Sequence, residues 1–243
     1  MDYYLLLGII IILSFVQSVL GIGLLVLGTP TLILMNYSFF ETMAIILPSS
    51  IVINLVQTMD SEGDYTKFKK DFLKYCLPCV LLSLTVILYI SEIINFKLIA
   101  GLMLLLSGLI RLWKSNTVMN KFIFTNSKKF QMFIGLMHGL TNMGGGFLAL
   151  FASSIYKSKQ TIRSGIAYGY LFMGLLQYSF LLIFVDNTFR KDVFMFVILS
   201  LASYYFLGKP FFRYISDIFF QRIITYIVVI YGFIIILNEF KYF

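Results

Sequence analysis

Charge is what this sequence lacks most. Only 12% of its 243 residues are Asp, Glu, Lys or Arg, where a soluble globular domain carries roughly 25%. That shortage, beside a hydrophobic share of 60%, excludes an ordinary soluble enzyme. Cysteine is almost absent: Cys76 and Cys79 are the two present, too few for a disulfide framework. Their C-x-x-C spacing opens an apolar run. It lacks the βαβ surroundings of a redox pair and the second pair of ligands that a zinc site needs, so both are read as structural. Histidine occurs once, at His138, and no H-E-x-x-H, G-x-S-x-G, P-loop or Asp-rich phosphate motif occurs. The chain is therefore read as non-enzymatic, with no cofactor and no metal. Residues 1–20 lack a basic leader and a small-residue cleavage site, so the first apolar run is expected to stay in the mature chain.

What is present is apolar length. A helix rises 1.5 Å per residue and the hydrocarbon core is about 30 Å thick, so roughly 20 apolar residues cross it. Six runs read as crossing helices, at 42–58, 72–90, 95–112, 163–184, 191–207 and 219–238. Two more, 4–36 and 130–156, are apolar but interrupted. Gly21-Ile22-Gly23 and Gly28-Thr29-Pro30 break the first, and Asn142-Met143-Gly144-Gly145-Gly146 breaks the second, where glycine and proline disfavour helix. These runs consume nearly the whole chain and leave no room for a separate soluble domain.

The two halves echo each other. Gly21-Ile22-Gly23 matches Asn142-Met143-Gly144 at an offset of 121, and Gln57 matches Gln177 at 120. Ser91-Glu92-Ile93 with Lys97 matches Ser216-Asp217-Ile218 with Arg222 at 125. An internal duplication follows, with a first repeat over 1–113, a basic cytoplasmic linker over 114–129 and a second repeat over 130–243. The net charge of +8 is read as a topology signal and not as a nucleic-acid footprint. If each interrupted segment crosses once, Lys and Arg divide 11 to 8 between the two sides. If each dips in and returns, loops 60–74, 111–129, 157–163 and 208–222 share a side and hold 15 of the 19. The positive-inside rule selects the second arrangement. Three full crossings per half then remain, so the halves are inverted relative to each other, with Lys97 outside and Arg222 inside. The expected fold is an all-α membrane protein of two inverted repeats, each a broken or re-entrant glycine-containing hairpin followed by three transmembrane helices.

Irregular backbone survives at membrane depth only inside protein or beside a wet cavity. A helix that starts after a glycine run aims free N–H groups and its positive end at that cavity, which favours an anion. The candidate binding residues are Gly21, Gly23, Thr29 and Gln57 in the first half and His138, Thr141, Asn142, Gly144, Gly145, Gly146 and Gln177 in the second. Gln17, Ser18, Thr31, Ser153 and Ser154 lie nearby. The competing reading is that the glycines only allow close helix packing, as in Gly135-x-x-x-Gly139 and Gly165-x-x-x-Gly169. His138 is either a pH-sensitive ligand or a hydrogen-bonded packing residue.

The run His138-Gly139-Leu140-Thr141-Asn142-Met143-Gly144-Gly145-Gly146-Phe147, echoed by Gly21-Ile22-Gly23 to Pro30, resembles the TauE/SafE family of sulfite and organosulfonate exporters. The segment from Leu207-Gly208 through Arg222 to Gly232 also resembles that family's pattern, so the likeness spans nearly the whole chain. Leu24 and Leu25 depart from it, standing where the family often has glycines. The resemblance implies transport of a small sulfur-containing anion across the cytoplasmic membrane.

Acidic groups are missing where ion coupling would need them. All 11 lie at or beyond helix ends, Glu41 being nearest to a buried position, so no carboxylate relay for protons or sodium is expected. With a negative cell interior, a departing anion gains about 2.3 kcal/mol per charge per 100 mV, and export needs no partner ion. The reading is a multi-pass permease of the cytoplasmic membrane that exports sulfite, a sulfonate or a related sulfur oxyanion. Its two hairpins meet in a wet pocket near the midplane. A non-transporting assembly or sensor subunit, and uptake of another sulfur species or a metal ion, stay open as alternatives. Partners are the small anion and the lipid bilayer, with no nucleic acid; association with a second copy of the chain stays open.

Overall fold

The computed structural model describes residues 3–60, 66–113, 117–185 and 191–240. Among them the chain is helical, without strands. The helices are α1 (Tyr3–Leu20), α2 (Leu24–Leu34), α3 (Phe39–Met59), α4 (Thr66–Ile90), α5 (Phe96–Trp113), α6 (Thr117–Thr125), α7 (Ser127–Thr141), α8 (Gly145–Ile155), α9 (Lys159–Phe184), α10 (Val193–Tyr214) and α11 (Asp217–Phe240). Parts of the loops read as 60–74, 111–129 and 186–192, including the first three residues of the linker, lie outside the described residues.

Small polar residues start the helices by accepting orphan N–H groups. Ser38 accepts from Glu41 N at 3.3 Å while Glu41 accepts from Ser38 N at 2.9 Å, a reciprocal box that opens α3. Asn95 accepts from Leu98 N, Ser158 from Thr161 N and Ser216 from Phe219 N at the starts of α5, α9 and α11.

Among the described residues six helices are long and apolar enough to cross a membrane: α1, α3, α4, α9, α10 and α11. Five of them coincide with predicted runs. The sixth is α1, whose 18 residues precede the first break and have the length of a full crossing, which the sequence reading did not count. The remaining predicted run is α5, an 18-residue helix with Lys97 and Arg111 near its two ends. At 11 residues, α8 spans roughly half of the hydrocarbon core. Leu82, Phe206 and Ile230 are exposed on α4, α10 and α11. An apolar outside of this kind suits lipid and not water.

Helices of one half pack on helices of the other: α5 on α11, α3 on α9, α4 on α7 and α1 on α10. Glycines set the spacing. A Cβ on Gly101 would lie 2.5 Å from Ile236, one on Gly108 2.4 Å from Val229 and one on Gly232 2.8 Å from Leu105 N, so α5 and α11 run antiparallel in close contact. Between α4 and α7, Gly135 lies against the Cys76 carbonyl and Gly139 against Ser83. Between α1 and α10 the pair is reversed, with Gly208 against Ser18.

The basic loops gather at one end. Arg111, Lys157 and Arg222 line one cavity of about 460 Å³. Asp60, Lys159, Arg163, Lys209 and Arg213 line another of about 400 Å³. Lys97 stands at the other end of α5, beside Leu34 and Glu239. At the basic end Asp60 accepts from Lys209 Nζ at 2.6 Å and from Tyr204 Oη at 2.8 Å, tying α3 to α10. Partial burial pushes the Asp60 carboxyl upward, but the hydrogen bonds from Lys209 and Tyr204 outweigh it and hold the group below its ordinary value of 3.8. A depressed folded value means that the tie is present above the unfolded value and is lost as pH falls through the folded one. Asp60→Asn is therefore expected to cost up to about 1 kcal/mol at neutral pH. It should also flatten the stability loss below about pH 4, as thermal unfolding in detergent across pH would measure.

Candidate functional site

Both breaks share a turn pattern at an offset of 121, although Gly23 and Gly144 themselves differ, at φ −178° and −58°. Gly21 and Asn142 occupy the left-handed region, at φ 76° and 58°. Gly21 N donates to Gln17 O at 2.8 Å, and Asn142 N donates to His138 O at 2.7 Å. Two residues later the chain folds back against the helix that it has just left. A Cβ on Gly23 would lie 2.5 Å from Gln17 N and Leu13 O; one on Gly144 would lie 2.6 Å from His138 and 2.9 Å from Ile134 O. Leu27 N then donates to Gly23 O, and Leu148 N donates to Gly144 O. In α2 a second bond, from Gly28 N to Gly23 O, widens the first turn to a π-type turn.

Equivalent positions carry different chemistry. In the first half Gln17 is saturated: its amide donates to Ser50 Oγ at 2.9 Å and Asn54 Oδ1 at 3.2 Å, and its oxygen accepts from Leu24 N at 3.0 Å. Gln57 donates to the carbonyls of Gln17 and Ser18, and Arg163 donates to Ser18 O, so the end of α1 is closed by cationic and amide donors. In the second half His138 takes the place of Gln17. Its Nε2 pairs with Gln177 Oε1 at 2.9 Å, and its ring lies against Tyr170 with centroids 5.6 Å apart. No side chain caps α8. Gly145 stands where Leu24 stands in the first half, and Tyr170 Oη lies 1.3 Å from where its Cβ would be. His138 Nδ1, Asn142 Oδ1, Tyr170 Oη and Gln177 Nε2 are all buried without a hydrogen-bond partner. Buried polar atoms without partners are uncommon, and four surround this one break.

The two breaks touch. Asn142 Nδ2 donates to Thr29 Oγ1 at 2.9 Å, and Gly145 lies against Val26. The structure thus brings Thr29, His138, Asn142, Gly144, Gly145 and Gln177 together. Thr141 sits beside them, bonded through Oγ1 to Met137 O and accepting from Met143 N. Gly146 faces Ser107. Gly21 faces Ile166 and Arg163, and Gly23 is pressed on α1, so both shape the hairpin. Gln57 occupies the place equivalent to Gln177, yet it serves the backbone of α1. Thr31 bonds Tyr231, and Ser154 bonds Leu150 O. Gly21 to Pro30 and Thr141 to Ser153 are buried, so both breaks are sealed in this state; the cavities described above open at the ends of the bundle.

Sequence reasoning passed over Tyr170 and left Gln17 among the neighbours. Both were within reach: Gln17 and His138 are 121 apart, and Tyr170 is two helical turns before Gln177 on the same face of α9. A family model described as "Sulfite exporter TauE/SafE" matches residues 5–235. Searches of the curated proteins and of the solved structures returned no match.

Proposed function

Because the chain belongs to the TauE/SafE sulfite exporter family, whose members are membrane transporters for sulfur anions, we propose that it is a permease for sulfite, a sulfonate or a related sulfur oxyanion, moved outward across the cytoplasmic membrane. The observation that carries this reading is the uncapped amide of Gly145. In the first half Gln17 occupies the equivalent N–H; in the second half an anion takes that role. The partnerless atoms around it favour one class of anion. With His138 Nε2 donating to Gln177 Oε1, His138 Nδ1 and Asn142 Oδ1 accept, while Tyr170 Oη and Gln177 Nε2 donate. An oxyanion that keeps one proton, as hydrogen sulfite does, offers both an acceptor and a donor to such a mixed set.

The halves act as inverted repeats, 1–113 and 130–243. Their equivalent helices α5 and α11 run antiparallel, as a two-fold axis in the membrane plane requires. The outer end of α2 lies by Lys97 and that of α8 by Arg111, at opposite ends of α5, which supports hairpins that dip in from opposite sides. The end that gathers the basic loops faces the cytoplasm. Rocking of one half against the other opens the sealed break to each side in turn, and the membrane potential drives the anion out.

Flux from proteoliposomes loaded with radiolabelled sulfite tests this. Outward movement should accelerate when the compartment on the basic side is made negative. Absence of flux for sulfite and for a panel of sulfonates would sink the proposal.

A further inference from the structure

The larger cavity at the basic end brings three cations to a wall that holds no acid among its described residues: Arg111, Lys157 and Arg222, with Asn120, Ser153 and Thr225 beside them. Lys157 and Arg222 are exposed, whereas Arg111 is 7% exposed. The bonds that hold Arg111 are to neutral acceptors: Nε donates to Thr225 Oγ1 and Nη1 to Ser153 Oγ, each at 3.2 Å, and Nη2 to Gln221 O at 3.5 Å. A guanidinium has five N–H donors, so two remain to be used. Buried charge is costly unless it is paired. A cation in the last turn of α5 also suits the negative end of that helix. A surface lysine would serve that purpose, however, and it gives no reason for two further cations at the same cavity.

The cavity also adjoins the contact between α5 and α8. Ser107 stands one turn before Arg111 on α5, and its Oγ lies 2.5 Å from where a Cβ on Gly146 would be. Ser153 stands two turns after Gly146 on α8 and bonds Arg111. The face of α5 that carries Ser107 and Arg111 thus meets the face of α8 that carries Gly146 and Ser153. Ser107 and Ser153 mark the seam between α5 and α8 that separates the cavity from the glycine break, and it is closed in this state.

We propose that this cavity is a second oxyanion site, where the two spare N–H groups of Arg111, with Lys157 and Arg222, hold sulfite or a related free oxyanion before it passes along the seam to Gly145. The passage rests on the permease reading; binding at the cavity does not. Calorimetry with sulfite on the purified, delipidated protein tests the binding. Lys157→Gln/Arg222→Gln, which changes two exposed side chains, should weaken one of two sulfite-binding events at least tenfold, and Arg111→Gln should abolish that event. In proteoliposomes without a membrane potential the double variant should lower sulfite flux at subsaturating concentration at least tenfold, by the same factor from either side, while saturating flux from the basic side stays at the wild-type rate. Sulfite binding that is unchanged in both variants, or no binding by the wild-type protein, would overturn the site. So would phosphatidylglycerol held at the cavity that sulfite fails to displace, which would give the cavity to a lipid headgroup. Sulfite binding that depends on Arg111 in a protein without flux would uphold the site and overturn the permease.

Discussion

Gly145→Val is expected to reduce sulfite flux at least a hundredfold while the protein still reaches the membrane. A Cβ there would stand 1.3 Å from Tyr170 Oη, 2.3 Å from its Cζ and 2.8 Å from Val26 Cγ2. Tyr170 is fully buried with its ring against His138, so making room for the new side chain displaces that ring and its hydroxyl from the break. The added methyl groups would also cover the amide that the anion is to meet. A milder change separates function from folding. Tyr170→Phe deletes a hydroxyl that has no partner, and an unsatisfied buried group costs about 1–3 kcal/mol. The variant should therefore melt at the wild-type temperature or above it, yet carry sulfite about tenfold more slowly, because one donor to the anion is gone. Full flux in both variants would remove the second break from the transport site.

Gly23→Ala is expected to prevent accumulation of folded protein, with a loss exceeding about 3 kcal/mol. The Cβ would meet Gln17 N and Leu13 O at 2.5 Å. These are main-chain atoms of α1, and no rotamer change moves them. Gly8→Ala, on the same helix, meets nothing within 4 Å and should be neutral or stabilising by about 0.5–1 kcal/mol, the usual gain of alanine over glycine in a helix. Equal unfolding temperatures in detergent for the two variants would show that the chain does not fold back at this break.

Much of this architecture was legible because lipid enforces simple rules. Apolar length marked the helices, and charge asymmetry grouped the loops that the structure brings to one end. Gly135 and Gly139, read as packing residues, do lie against α4. The glycine triplet does lie beside the partnerless polar atoms, but those neighbours were hidden in the sequence. Tyr170 is one of 16 tyrosines, and only a tertiary contact singles it out. Arg111 was counted as a loop cation because sequence position at a helix end does not reveal burial. Gln57 and Gln177, paired by spacing, each meet the helix that precedes a break, yet they serve different ends, because the residues they meet, Gln17 and His138, differ. Leu24, which the family resemblance marked as a departure, sits where the first half caps its own amide.

The exchanged serine and glycine between the halves carry a mechanical corollary. Ser18 meets Gly208 on one flank and Gly139 meets Ser83 on the other, so each joint contains a single hydroxymethyl group. The side-chain bulk in the two gaps is therefore equal, although neither residue type is kept in place. In the rocking proposed above, the two flanks would then pivot on like contacts, a serine seated in a glycine notch, one for each direction of tilt.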